Sequence, residues 1–211
     1  MTVRNRKAVT DGDVEKMFAG KLADLKRRVN EGTLPAEYVA EVLQKLTEGN
    51  FTIGDELLKF VGVLKLKAVK RFVVADHFKV GNLVGGRSIG WIGPNFQTHF
   101  GDVVEEDVPA KTVHVWQLTK KSLDAPIIKL FGGEESPKTQ TYLAHQFQLM
   151  ELGEKGKERL DGWANFGYKS SPVDNYLWVP YWYVRDGLFN VGADSSSDRY
   201  GWRVGRRVFG G

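Results

Sequence analysis

"YLWVPYWYVRDGLFNVGADSSSDRYGWRVGRRVFGG" closes the chain, from Tyr176 to Gly211. Its runs "YLWVPYWYV", "FNVGADS" and "GWRVGRRVF", with "GWANFGY" (162–168) upstream, are short, aromatic and divided by turn residues. That pattern predicts antiparallel strands and loops, and it fixes an α+β reading once the helical segments upstream are added.

The same stretch changes alphabet. Residues 1–169 hold 18 Lys, 13 Glu, 6 Gln and 3 Met, so the last 42 residues should hold about ten of these types, and they hold none. Strand composition accounts for part of the loss of Lys and Glu. It does not account for Gln, nor for Arg persisting at 185, 199, 203, 206 and 207. Codons for Lys, Glu, Gln, Met and Trp all need a purine in the third place. An asparagine codon ending in a pyrimidine, randomised at its first two bases, reaches Tyr, Ser, Asp, Asn, Arg, Gly, Phe, Val, Leu, Ala and Pro but none of those five. On this account Trp178, Trp182 and Trp202 are fixed framework positions. Tyr supplies contact area at low entropy cost, Ser, Gly and Asn supply adaptable hydrogen bonds, and Arg anchors, which is the composition of a paratope. The bland alternative is an aromatic, Gly-turned β segment with no binding role.

Upstream, residues 11–48 predict a helical pair. Asp11 or Asp13 caps the first helix, whose stripe is Val14, Met17, Phe18, Leu22, Leu25 and Val29. Thr33 caps the second, with Pro35 in its first turn and Tyr38, Val39, Val42, Leu43 and Leu46 as its stripe. Two short amphipathic helices cannot bury these stripes alone, so they pack on the main domain or on another copy. The expected organisation is therefore a helical pair over 1–50 and a ligand-binding domain over 51–211. "FKVGNLV" (78–84) and "TVHVWQLT" (112–119) alternate like strands around a Gly-rich turn region, "VGGRSIGWIGPNF" (84–96). "SLDAPIIKLFGG" (122–133) reads as a helical turn ending at a Gly pair. "KTQTYLAHQFQLMELGEKG" (138–156) reads as a helix with Tyr142, Leu143, Phe147 and Met150 on one side and Gly153 as its stop.

The 211 residues carry 42% hydrophobic and 27% charged residues, a net charge of +4 and no Cys. These totals fit a folded globule, exclude a disulfide scaffold and thiol chemistry, and permit a nucleic-acid partner without requiring one. No apolar run follows the basic start, and none spans a membrane, so a cytoplasmic protein is the expectation.

Catalytic motifs are sparse. His77, His99, His114 and His145 form no HExxH or other ligand spacing. "ADH" (75–77) and "THFGD" (98–102) can each bring a carboxylate, Asp76 or Asp102, near an imidazole, but ordinary surface or strand histidines are the expectation. "VGGRSIGWIG" lacks both Gly-Lys-Ser/Thr and GxGxxG, and no GxSxG elbow occurs. Glu105-Glu106 and Glu134-Glu135 read as solvated neighbours, and Lys65, Lys67 and Lys70 as solvated cations. "NFT" at Asn50 is a glycosylation pattern. No cofactor and no catalytic residue is expected.

The segments "FKV", "PNFQTHFGDVVEEDVP", "LTKKSLDAPIIKLFGGEE", "TYLAHQFQLMELGEKGKERLDGWANFGY", "LWV", Trp182 and "GWRVGRRVF" together resemble a family of uncharacterised proteins from candidate-phylum (Patescibacteria-type) bacteria with hypervariable C-termini. The likeness covers roughly Phe78 to Phe209, about two thirds of the chain, and "LPAEYVAEVLQKL" is similar as well. Such tails look like the variable proteins of diversity-generating retroelements, in which mutagenic reverse transcription rewrites adenine positions of a segment displayed on a C-type-lectin-like fold. The resemblance implies a non-catalytic, receptor-like protein with a variable region about 176–211, and an unknown protein or other macromolecule as ligand. The implied ligand-contacting residues are Tyr181, Tyr183, Arg185, Asp186, Asn190, Asp194, Ser196, Ser197, Arg199, Tyr200, Arg203 and Arg206. Leu177, Val179, Trp182, Val191, Ala193, Trp202, Val208 and Phe209 are implied as scaffold. No EPN or WND motif is present, so no sugar or calcium site is claimed. The alternative is a nucleic-acid-binding module using Arg203, Arg206 and Arg207 with nearby Tyr residues, assisted by Lys65 to Arg71. An enzyme built on His99, Asp102 or His114 is a third reading, and self-association through the helical pair stays open.

Overall fold

The computed structural model describes residues 11–47, 57–155 and 164–210. The chain forms two compact units, Met1–Ile53 and Gly54–Gly211.

The first unit is a helical hairpin of α1 (Asp11–Asn30) and α2 (Ala36–Thr47). Gly32, at φ 66°, makes the left-handed residue that ends α1. Thr33 corrects the expectation of an N-cap on α2. Its hydroxyl donates to Arg28 O at 3.0 Å, so it closes α1 instead. Pro35 O accepts the N–H of Val39 ahead of α2. Leu34 is buried in the turn, while Phe18, Leu22 and Leu43 stay exposed. The side chains of Asp11 and Asp13, and the Asn50 sequon, lie outside the described residues.

The second unit is α+β, built on a large, mostly antiparallel sheet with a few helices. In chain order its elements are β1 (Leu58–Leu66), β2 (Val69–Val73), α3 (Val74–His77), β3 (Leu83–Val84), β4 (Arg87–Ile92), α4 (Pro94–Phe100), β5 (Val104–Val108) and β6 (Lys111–Leu118). There follow α5 (Asp124–Leu130), α6 (Leu143–Lys155), β7 (Asn165–Phe166), β8 (Lys169–Ser170), β9 (Leu177–Arg185), β10 (Leu188–Ser195) and β11 (Arg207–Gly210). The main sheet runs β1-β6-β11-β7-β9-β10-β4-β3, with β8 beside β9, and β2 pairs β5 as a separate ribbon. Among the described strands, β10–β4 and β11–β7 pair in parallel and the other pairs are antiparallel.

Side-chain alternation divides the sheet into two faces. One face carries Trp182, Phe189, Val191, Ala193 and Phe209 into a core with α4 (Phe96, Phe100) and α6 (Leu143, Leu149, Met150). The other carries Leu177, Val179, Phe166 and Val208 into a second core with α5 (Ile127, Ile128) and Phe131. Asp186-Gly187 joins β9 to β10 as a two-residue loop with both φ positive (52° and 78°), the geometry that Asp-Gly favours.

Several expectations need correction. "FKVGNLV" yields only the two-residue β3, because Gly81 (φ 92°) turns the chain and the Asn82 amide closes α3 by donating to the carbonyls of Asp76 and His77. The Gly-rich segment is not a plain loop: Gly85 and Gly86 make a tight turn into β4, and Pro94 starts α4. Gly153 does not stop α6, which continues to Lys155, and Tyr142 precedes that helix and is exposed. Glu105 is not solvated. It is 6% exposed, accepts the first N–H groups of α6 from Leu143 (3.1 Å) and Ala144 (2.9 Å), and pairs with Lys169 at 2.9 Å.

Candidate binding face

Along β9 the side chains on the α5 side pass from buried to open. Leu177 and Val179 are buried, Tyr181 and Tyr183 half-buried, Arg185 exposed. The antiparallel register puts Asp194 opposite Val179, Gly192 opposite Tyr181, Asn190 opposite Tyr183 and Leu188 opposite Arg185, all on this same face. Tyr181 lies across Gly192: a Cβ there would sit 2.5 Å from the Tyr181 ring and hydroxyl. Tyr181 and Tyr183 stack with centroids 6.4 Å apart.

The loop after β10 returns across this face. Trp202 stacks on Phe166 (4.1 Å, 11° between planes), meets Tyr181 edge-on at 5.7 Å and donates its indole N–H to Asp124 at 2.8 Å. Tyr168 donates to the same carboxylate oxygen, also at 2.8 Å. Burial pushes Asp124 up to about 6 against those two hydrogen bonds, with Asp194 and Asp198 adding repulsion. Burial, then Asp194 and Tyr183, push Tyr181 up to about 12, so its hydroxyl stays protonated.

Beyond Trp202, Arg203 to Arg206 form a β-turn with Gly205 at φ 86°. Arg207 pairs Asn165, which pairs Trp182. One residue back, the same register sets Arg206 level with Tyr183, on the face that Val208 shares. Burial, then Arg203, lower the Arg206 pKa, with Tyr183 opposing them. On the far side Asn190 pairs Trp91 of β4. Trp91 lies on the face opposite Ile89 and Ile92, which enter the α4–α6 core. One row across the sheet therefore reads Arg206, Tyr183, Asn190, Trp91.

The implied contact residues thus separate into groups. Tyr181, Tyr183, Asn190 and Asp194 come together on this face, with Arg206 level with Tyr183, while Arg203 is exposed in the turn before it. Arg185 and Asp186, 3.6 Å apart, form its rim at the hairpin turn. Ser196, Ser197, Arg199 and Tyr200 follow the opposite end of β10, where Ser197 bonds Ser195 (2.8 Å) and Arg199 lies over Tyr200 (5.7 Å). The tail's three Trp make framework contacts: Trp182 is buried, Trp178 stacks on His99 at 3.6 Å, and Trp202 is pinned as described.

Compared with protein-family models, curated proteins and solved structures, the chain matches none.

Sequence reading missed Trp91, Asp124 and Gly192. Trp91 stands in "GWIGP", where the glycines read as a turn; they instead make room for side chains. His99 has Asp174 (3.7 Å) beside it rather than Asp102, and Ser171 Oγ at 3.0 Å. Both approach Nδ1, whereas a nucleophile relay needs the two partners on opposite ring nitrogens. Among the described residues, no group of three or more His, Cys, Asp or Glu is placed to hold a metal ion, and no helix is long and apolar enough to cross a membrane.

Proposed function

We propose that this protein is a non-catalytic, receptor-like binding protein whose tail is diversified by a retroelement on a C-type-lectin-like scaffold. The observation that carries the reading is the parity of β9 and β10. Alternate residues (Trp182, Phe189, Val191, Ala193) are locked in a core, while their neighbours Tyr183, Arg185, Leu188 and Asn190 stand on an open face. Substitution at these four positions leaves both cores intact, which is what a diversified surface requires, whereas Leu177 and Val179 of the same parity belong to the α5 core. The lectin-like part of the reading draws on the resemblance. It gains support from the element order, in which strands from both ends of the unit flank β6 and the tail's hairpin sits inside the sheet.

The nucleic-acid alternative is less well supported. Lys70 is paired with Asp107 and Arg71 with Glu106, so the Lys65–Arg71 segment offers a broken cation track.

The gene's own locus tests the reading. The expected finding is a reverse-transcriptase gene, a near-copy of the tail with pyrimidine-ended asparagine codons, and strain-to-strain changes at 183, 185, 190, 194, 203 and 206. A complete genome with neither element, and changes spread over Trp182, Trp202 and Val208, would overturn it.

A further inference from the structure

β1 is the outermost strand of the main sheet, and β6 pairs with one of its two edges. Hydrogen-bond parity shows which backbone groups point the other way. Leu118 donates to Arg206 O and accepts from Gly205 N–H, so its backbone faces the β11 side. The alternate residues Gln117, Val115, Val113 and Lys111 therefore turn their backbone groups to β1, where they meet Lys59, Gly62, Leu64 and Leu66. Val63 and Lys65 lie between these and aim N–H and C=O out of the sheet. Among the described residues nothing bonds those groups.

The next residue of the same parity shows what the edge accepts. Lys67 N–H donates to Gln148 Oε1 at 2.8 Å, and Gln148 Nε2 donates to Lys67 O at 3.0 Å. The carboxamide from α6 thus takes the place of one peptide group of a neighbouring strand and seals the edge at that end. Residues 60–64, further along, are all half-buried. Val63 stands beside His114, whose ring meets Phe60 edge-on at 6.0 Å, an apolar step for an added side chain. An edge that offers N–H and C=O at alternate residues is a template for an extended chain.

Charge selects the occupant. Lys59, Lys65 and Lys67 are exposed along this edge, and β1 itself carries no acid. Among the described residues no carboxylate forms an ion pair with any of the three. A second copy is the wrong partner, because pairing two β1 edges would crowd six ammonium groups along one ribbon. A nucleic-acid strand has no N–H and C=O ladder to offer the open groups and would use the cations alone. A peptide strand with an apolar middle and carboxylates near its ends satisfies both. Lys59 and Lys65 stand six residues apart, around the apolar stretch Phe60 to Leu64.

We propose that the open edge of β1 binds an extended segment of a partner protein, apolar at its centre and acidic at its ends, as an added strand. Its backbone pairs with Val63 and Lys65. Its carboxylates meet Lys59 at one end and Lys65 and Lys67 at the other. In the sheet order β6, β11 and β7 separate this edge from β9 and β10, so the site is independent of the tail's recognition face.

The test is selection of random twelve-residue peptides displayed on phage against the full-length protein. The expected result is a class of peptides with alternating apolar residues between Asp or Glu about six residues apart. Synthetic copies should lose about tenfold or more in affinity to Lys65→Pro, which leaves the β6 ladder whole because that N–H faces outward. Lys65→Thr keeps the N–H and should cost about threefold or less. Lys59→Thr with Lys65→Thr and Lys67→Thr should cost about tenfold and remove most of the salt dependence. N-methylation of alternate peptide residues should abolish binding with the protein untouched, and Tyr183→Ser should change nothing. Peptides that ignore both Lys65→Pro and N-methylation, or no enrichment, would overturn the docking edge. Enriched peptides that lack acids and ignore the triple variant would overturn the acidic partner. Concentration-dependent dimers lost on Lys65→Pro would put a second copy on the edge instead, and displacement of the peptides by a single-stranded thymidine oligonucleotide would assign the site to a nucleic acid.

Discussion

Trp202 reaches from the tail into the α5 core to donate its indole N–H to the buried carboxylate of Asp124 at 2.8 Å. The bond fastens the loop that carries Arg203 and Arg206 to a helix some eighty residues upstream. Two backbone bonds between Ser122 and Trp202 (2.7 and 3.1 Å) reinforce it.

Because burial raises Asp124 to about 6, folding takes up a proton between the ordinary aspartate range and that value. The folded state binds more protons there than the unfolded chain, so stability is greatest below about pH 4 on this account and falls as pH rises through 6. The shift of about two pH units corresponds to roughly 3 kcal/mol. Asp124→Asn, which still accepts from Tyr168 and Trp202, should flatten this part of the profile. Urea midpoints from pH 4 to 7.5 check it; an unchanged slope in the variant would assign the effect to another group.

Trp202→Phe keeps the stack on Phe166 but leaves Asp124 without one of its two donors. A loss of about 1–3 kcal/mol is expected. Trp182→Ala empties the other core and should cost about 3–5 kcal/mol. Guanidinium titration of both variants gives the comparison.

Gly192→Ala should cost about 1–3 kcal/mol, since its methyl group meets the Tyr181 ring. Tyr181→Ser removes the obstacle, so the double variant should recover most of that loss. A double-mutant cycle with no coupling would show that Tyr181 does not lie over Gly192 in solution.

The adjacent acids Glu105 and Glu106 should behave as opposites. Glu105→Ala strands Lys169 and uncovers the first N–H groups of α6, for about 3–5 kcal/mol. Glu106→Ala removes an exposed pair with Arg71 and should cost under about 1 kcal/mol. Thermal melts of the two variants distinguish them.

The tail's strands were legible because aromatic runs and an Asp-Gly turn are local signals. The sequence carried less about Trp91. Glycine signals a turn when read alone, whereas Gly90 and Gly93 serve close approach by Leu188 and Trp91, a relation that exists only after β10 pairs β4. Glu105 was misread for a similar reason: the helix end it serves lies 38 residues away in sequence. Nothing local in the sequence marks Asp124, and only the arrival of Trp202 and Tyr168 makes it a buried acceptor.

The most direct measurement is a yeast-displayed library with positions 183, 185, 190, 194, 203 and 206 randomised by pyrimidine-ended codons. Members are sorted once for folded display and once for binding to a target protein such as lysozyme. Most members should display as folded, because none of these six side chains belongs to either core, and binders should emerge that fail when Trp91 is changed to Ala. Collapse of folded display to a small minority would show that these side chains hold the fold together instead of meeting a ligand.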